Sequence, residues 1–112
     1  MTAVDDLMDR ISEMIREDPE TVRRFGAACK FALSGEDART FVVDMRPGNP
    51  RVIDGDGEAE CTISMPASEF VKLAQLQANP RALFFSGKLR IKGDWRLAMK
   101  LNKLFVNLGG KR

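Results

Sequence analysis

The pattern of apolar and polar residues at the start of the chain predicts two helices followed by a strand. Apolar residues recur at helical spacing over Asp5 to Glu17, which indicates an amphipathic helix. Asp18-Pro19 then supplies a capping acid and a proline at the first helical position, so a second short helix should follow and end near Gly26. From Cys29 to Leu33 the apolar period changes to two, which predicts the first strand.

Three more strands are predicted from the same period of two, each bounded by a turn rich in glycine or proline. They are Phe41 to Met45, Arg51 to Ile53, and Ala59 to Met65. Because the connections between successive strands are short, we expect the four strands to form an antiparallel meander with one face covered.

The last part of the chain returns to helical spacing around one further strand. Helices should begin near Pro66 and at Asn79-Pro80, a fifth strand should span Lys88 to Lys92, and a final helix should begin at Trp95. The predicted fold class is therefore α+β, with a five-stranded sheet (the antiparallel meander plus one later strand) covered by helices. We expect residues 1–112 to form a single domain.

Charge is distributed unevenly in a chain whose formal net charge is only +2. Residues 1–80 contain nine Lys/Arg and 15 Asp/Glu, whereas residues 81–112 contain nine and one. The last third could therefore contact an anionic partner, either lipid headgroups or nucleic acid. The alternative is a solvated face that acidic neighbours balance in the fold. Six basic side chains are candidates for such contact: Lys88, Arg90, Lys92, Arg96, Lys100 and Lys103.

Catalytic chemistry is restricted because the chain contains no histidine. A Ser-His-Asp or Cys-His arrangement is therefore excluded. Cys29 and Cys61 are too few for a zinc site, and their apolar surroundings predict buried thiols. The segment Asp54 to Gly57 lacks the residues that complete a phosphate loop or a calcium loop, so we interpret it as a turn. We expect no enzyme activity, no catalytic residues, no cofactor and no metal.

The cellular location is expected to be cytoplasmic. No apolar run approaches the ~18 residues that a membrane span needs. Residues 1–6 are acidic where a secretory signal would be basic and then apolar, and residues 109–112 read Gly-Gly-Lys-Arg rather than Ser-Lys-Leu.

The stretch from Phe84 to Leu101 resembles the hallmark of a known family. It reads FFSGKLRIKGDWRLAMKL and is similar to the FFxGKLKIxGN and LAMKL motifs of the sterol carrier protein type-2 family. Ala59 to Met65 (AECTISM) resembles that family's ADCTITM strand, and Thr40 to Asp44 (TFVVD) resembles its TWVVD strand. The matches keep their order over residues 59–105, and a looser similarity covers nearly the whole chain.

The resemblance implies a nonpolar tunnel between sheet and helices that holds a sterol, a fatty acid, an acyl-CoA or another lipid. Trp95-Arg96 replaces the small or apolar pair that is usual in the family, and could narrow the tunnel mouth or reach a headgroup. The alternative is that the large apolar side chains only fill the core. Ten are candidate ligand-binding residues: Phe41, Phe70, Leu73, Leu76, Phe84, Phe85, Trp95, Met99, Leu104 and Phe105.

The expected function is binding of this hydrophobic ligand, together with its intracellular transfer and transient contact with anionic membranes. An alternative is an accessory or regulatory domain of the same fold that binds a protein partner or senses an acyl ligand. Nucleic acid is not expected as a partner, because the basic third of the chain lacks interleaved aromatic residues beyond Trp95. The pattern leaves the oligomeric state open.

Overall fold

Two helices precede the sheet in the computed structural model, which describes residues 2–101 of the chain. Helix α1 spans Ala3–Glu17 and helix α2 spans Pro19–Phe25. Thr2 and Asp5 form a capping box: the Asp5 amide donates to Thr2 Oγ1, and the Thr2 amide donates to Asp5 Oδ2, both at 3.1 Å. This cap begins α1 two residues before the predicted start.

Five strands and three more helices follow, which confirms the predicted α+β class and five-stranded sheet. The strands are β1 (Ala28–Ser34), β2 (Arg39–Asp44), β3 (Arg51–Asp54), β4 (Cys61–Pro66) and β5 (Arg90–Gly93). Helices α3 (Ala67–Ala74) and α4 (Pro80–Phe85) lie between β4 and β5, and α5 begins at residue 95 and is described as far as residue 101.

The prediction of a four-strand antiparallel meander is wrong. The strand order is β3-β2-β1-β4-β5, and β4 pairs in parallel with β1, so that Cys61 lies opposite Cys29. The remaining pairings are antiparallel. Strand β3 has only four residues, none of them buried, whereas β4 buries every second residue. Beside the central strand β1, the apolar face of β4 is covered. Pairing with β3 at the sheet edge would leave that face uncovered.

Residues 55–60 cross the outer face of the sheet between β3 and β4. The sequence predicts a turn at Asp54 to Gly57 and a strand from Ala59, whereas β4 begins at Cys61. Val42 is fully buried although its neighbours Phe41 and Val43 point into the core on the other face. Gly57 lies against the Val42 side chain, and Lys30 Nζ forms a 2.9 Å salt bridge with Asp56 Oδ1. The crossing segment therefore covers part of the face that the helices leave open.

The core lies between the inner face of the sheet and the helices, and a cluster of three phenylalanines is at its centre. Phe31 and Phe41 stack with ring centroids 5.1 Å apart, and Phe70 of α3 meets them at 5.3 and 5.9 Å. All three side chains are at most 1% exposed. Such offset and tilted contacts add to the free energy that burial alone provides, so this cluster ties α3 to the two central strands.

Arg39 joins α1 to the edge of the sheet through two carboxylates. Its guanidinium donates to Asp54 through Nε at 3.1 Å and Nη2 at 3.0 Å, and to Asp5 through Nη1. The hydrogen bond from the Thr2 backbone, followed by that from Arg39, lowers the pKa of Asp5. The hydrogen bonds from Arg39 also lower the pKa of Asp54.

Lowering the pH should destabilise the protein through these carboxylates. Because their pKa values are lower in the folded than in the unfolded chain, their contribution is fully present above the unfolded value of about 4 and disappears as the pH falls through the folded values. Arg39→Met should lose stability at pH 7 and show a shallower decline below pH 4. Urea denaturation between pH 2.5 and 7 measures both effects.

The exposed pair Arg24–Glu20 provides the control, since both side chains are more than two-thirds exposed. Arg24→Met should follow the wild-type pH profile, because exposed pairs contribute little. A profile of Arg39→Met parallel to wild type would show that Arg39 does not link stability to pH.

Candidate functional site

Three of the predicted ligand-binding residues lie inside the core. Phe41 and Phe70 belong to the phenylalanine cluster, and Leu73 follows one turn later on the same side of α3 and is 9% exposed. They form part of the apolar surface between sheet and helices, where the prediction places a ligand. Leu104, Phe105 and the basic candidate Lys103 lie outside the described residues.

The other five predicted residues form an unusual set because large apolar side chains are exposed. They are Leu76 (53% exposed), Phe84 (50%), Phe85 (84%), Trp95 (60%) and Met99 (59%). Single exposed apolar residues are common on protein surfaces, but five large ones within 24 residues of the sequence are unusual. Helix α4 alone contributes two of them, with the Phe84 and Phe85 rings 5.8 Å apart.

Leu76 is also held in a backbone conformation that leucine rarely adopts. Its φ is 59°, the only positive value among the described non-glycine residues. The Leu76 amide donates to Leu73 O at 3.1 Å and the Gln77 amide donates to Lys72 O at 2.7 Å, which is the Schellman arrangement at the end of α3. Glycine usually occupies this left-handed position, and a branched side chain there costs about 1–2 kcal/mol. The exposure of the side chain and the strain of the backbone both make leucine an unfavourable residue at this position.

Helix α5 carries two apolar stripes on opposite sides. Leu97 and Leu101 are buried and pack into the core, whereas Trp95 and Met99 are mostly exposed. Each pair is four residues apart, and the two pairs are offset by two residues, which at 100° per residue places them on opposing faces. The sequence predicts a helix from Trp95, and its exposed stripe could have been recognised from the Trp95–Met99 spacing.

Five of the six predicted basic contact residues are described, and all five are exposed: Lys88, Arg90, Lys92, Arg96 and Lys100. Register with Ser64 and Thr62 places Arg90 and Lys92 on the outer face of β5. Arg96 Nε lies 3.3 Å from Asp94 Oδ1. Within residues 2–101, no carboxylate lies within salt-bridge distance of the other four. Strand β5 and the start of helix α5 therefore carry an excess of positive charge.

Cys29 and Cys61 are both buried in the core, as predicted. They face each other across the parallel β1–β4 pair and are both free. Desolvation by burial raises the pKa of each thiol, so neither forms the reactive thiolate readily. Among residues 2–101 there is no group of three or more Cys, Asp or Glu side chains arranged to hold a metal ion.

A shallow groove lies on the outer face of the sheet, away from the exposed apolar residues. Its lining is mostly polar, so it does not correspond to the apolar tunnel that the resemblance implies, which remains a prediction. The lining residues are Lys30, Asp56, Gly57, Glu58, Ala59 and Thr62. In the part of the chain that the structure describes, no helix has both the length and the apolar character needed to cross a bilayer.

The sheet has the order β3-β2-β1-β4-β5, and its apolar inner face lies under the helices. A family model described as "SCP-2 sterol transfer family" matches residues 8–106. The chain belongs to this family, which confirms the resemblance drawn from the sequence.

Curated relatives share the domain within longer chains. Human "Sterol carrier protein 2" is 36% identical over 107 residues, which is 91% of this chain and 20% of that protein. Rat "Hydroxysteroid dehydrogenase-like protein 2" is 37% identical over 94 residues, 82% of this chain and 18% of that protein. The chain thus spans about a fifth of the length of these two relatives.

Solved structures confirm the fold. Sterol carrier protein domain 2 of Helicoverpa armigera superposes with a TM-score of 0.79 at 23% identity, covering 98% of this chain and 91% of that one. Palmitated SCP2L2 from Aedes aegypti gives a TM-score of 0.75 at 18% identity, covering 93% and 95%.

Proposed function

We propose that this protein binds a long fatty acyl chain between the inner face of its sheet and helices α3 to α5, and exchanges it with membranes without catalysing a reaction on it. The observation that carries the proposal is the exposed apolar side chains of Leu76, Phe84 and Phe85 beside an apolar core, in a chain of the SCP-2 family. An acyl chain is favoured over a sterol because the Aedes aegypti neighbour was solved with palmitate, although that neighbour shares only the fold.

The free energies of transfer support reversible binding of the acyl chain and its exchange with membranes. A 16-carbon chain gains on the order of 13 kcal/mol on leaving water, at ~0.8 kcal/mol per methylene group. A bilayer offers a similar gain, so transfer between protein and membrane is nearly balanced. An empty cavity of about 300 Å3 would cost about 7 kcal/mol, much of the total stability of a small domain. The purified protein should therefore retain lipid.

Native mass spectrometry of freshly purified protein, followed by organic extraction, tests the proposal. A discrete added mass that extraction assigns to a fatty acid or fatty acyl lipid supports it. An unliganded mass combined with no uptake of added palmitate overturns it, and would favour the accessory domain that uses its exposed apolar residues to bind a protein partner.

Leu76→Gly should change stability and binding in opposite directions. Glycine relieves the left-handed strain, but its greater flexibility in the unfolded chain offsets part of this stabilisation. The free energy of unfolding should therefore rise by about 0.5–1 kcal/mol. Loss of an apolar side chain that is half exposed without ligand should weaken palmitate binding about fivefold, since full burial of leucine contributes about 1.5–3 kcal/mol. Thermal unfolding and palmitate titration measure the two effects.

Two further variants at this position separate conformation from contact. Leu76→Asn tolerates the left-handed backbone and removes the apolar contact, so it should resemble Leu76→Gly. Leu76→Met keeps an apolar side chain and the strain, so it should bind palmitate like wild type without added stability. Wild-type affinity for palmitate in both Leu76→Gly and Leu76→Asn would show that Leu76 is not part of the binding site.

A further inference from the structure

We propose that the outer face of helix α5 is the surface through which this protein docks on an anionic phospholipid bilayer. The inference rests on the proposed exchange of lipid with membranes and identifies the contact surface. The face consists of Trp95 and Met99, flanked by Arg96 and Lys100. Leu97 and Leu101 pack the opposite side of the helix into the core. This packing fixes the helix in place and leaves its outer face exposed to solvent.

The orientation of the apolar pair argues for an external partner. Trp95 and Met99 are 60% and 59% exposed and project away from the core that Leu97 and Leu101 enter. Burial of these two side chains within the protein therefore contributes little to the free energy of folding. Tryptophan is favoured at the boundary between headgroups and acyl chains, because its ring is apolar and its indole N–H needs a polar partner.

The charge around this face identifies the partner as anionic. Residues 88–101 contain five Lys/Arg and one acid, Asp94, which pairs with Arg96. Arg96 and Lys100 are both exposed and lie on neighbouring turns, since they are four residues apart. An apolar stripe beside a basic one is the arrangement of helices that lie in the interface of anionic membranes.

The fluorescence of Trp95 provides a direct test, because it is the only tryptophan in a chain without tyrosine. Vesicles of phosphatidylcholine with 30% phosphatidylglycerol should shift Trp95 emission to the blue, and brominated acyl chains in those vesicles should quench it. Pure phosphatidylcholine vesicles should do neither, and about 0.5 M salt should reverse the binding. Equal binding to both kinds of vesicle would overturn the proposal.

A double variant tests the basic flank. Arg96→Gln with Lys100→Gln should weaken vesicle binding about 30-fold, since each basic residue near an anionic surface contributes a factor of about five. Arg23→Gln with Arg24→Gln makes the same charge change on two exposed residues of α2, and should retain at least half the wild-type affinity. Equal losses in the two double variants would show that only net charge matters and would overturn the assigned face.

Two controls separate this proposal from others. Palmitate uptake from solution should be unchanged in the Arg96/Lys100 double variant, so loss of docking and loss of acyl binding are distinguished. A blue shift of Trp95 that grows with protein concentration in the absence of vesicles, with a dimer in sedimentation analysis, would assign the face to a second copy of the chain and overturn the membrane proposal.

Discussion

Gly93→Ala should destabilise the protein by about 3 kcal/mol or more. A Cβ atom at Gly93 would lie 2.4 Å from the carbonyl oxygen of Glu60, which belongs to the backbone and cannot rotate away. The residue also has φ of +91°, so a side chain adds backbone strain. Relief of the overlap would separate β5 from β4, where Gly93 pairs with Cys61, and would disturb the Asp94 amide hydrogen bond to Glu60 O. Urea denaturation measures the loss.

Gly35→Ala is the matched control for steric overlap. Gly35 has nearly the same φ, +93°, but a Cβ atom there meets nothing within 4 Å. Its cost should therefore be the backbone strain alone, about 1–2 kcal/mol. If the two variants lost equal stability, the close approach at Glu60 would not be a constraint on the fold.

Phe70→Ala should cost about 3–5 kcal/mol, the range for truncation of a large aromatic residue in a packed core. Phe70 is 1% exposed and contacts both Phe31 and Phe41, so its removal leaves a cavity bounded by two rings held in strands. Small domains have a total stability of only about 5–15 kcal/mol. The variant should therefore unfold at a much lower urea concentration with an unchanged m-value.

The same substitution at Phe85 provides the comparison. Phe85 is 84% exposed, so Phe85→Ala should change the free energy of unfolding by no more than about 0.5 kcal/mol. Similar losses at the two positions would contradict the placement of Phe70 at the centre of the core and of Phe85 on the surface.

The elements of this fold could be predicted from local patterns, but the pairing of its strands could not. Alternating apolar residues indicated β1 and β4 because each buries one face, and prolines at positions 19 and 80 indicated the starts of α2 and α4. The parallel contact of β4 with β1 depends on the path of residues 55–60 over Val42, which no local pattern encodes. Short connections favoured the meander instead.

The candidate site was predictable in residue type and less so in geometry. The family resemblance indicated the apolar candidates and the uneven charge indicated the basic ones, yet neither separated Phe70, which is buried, from Phe85, which is exposed. The left-handed backbone at Leu76 had no signal in the sequence, since glycine is the residue expected at such a position. Burial and backbone angles depend on contacts between distant segments.

The parallel pairing of β1 with β4 has a consequence for synthesis of the chain. The partner of Cys29 is Cys61, so 32 residues must be added after the first is made before the second exists. At about 5–20 residues per second, this takes on the order of 2–6 seconds. During that interval β1 can form its hairpin with β2, but its other edge and the Cys29 thiol have no partner. The nascent chain therefore passes through a stage in which its central strand is open to aggregation and oxidation.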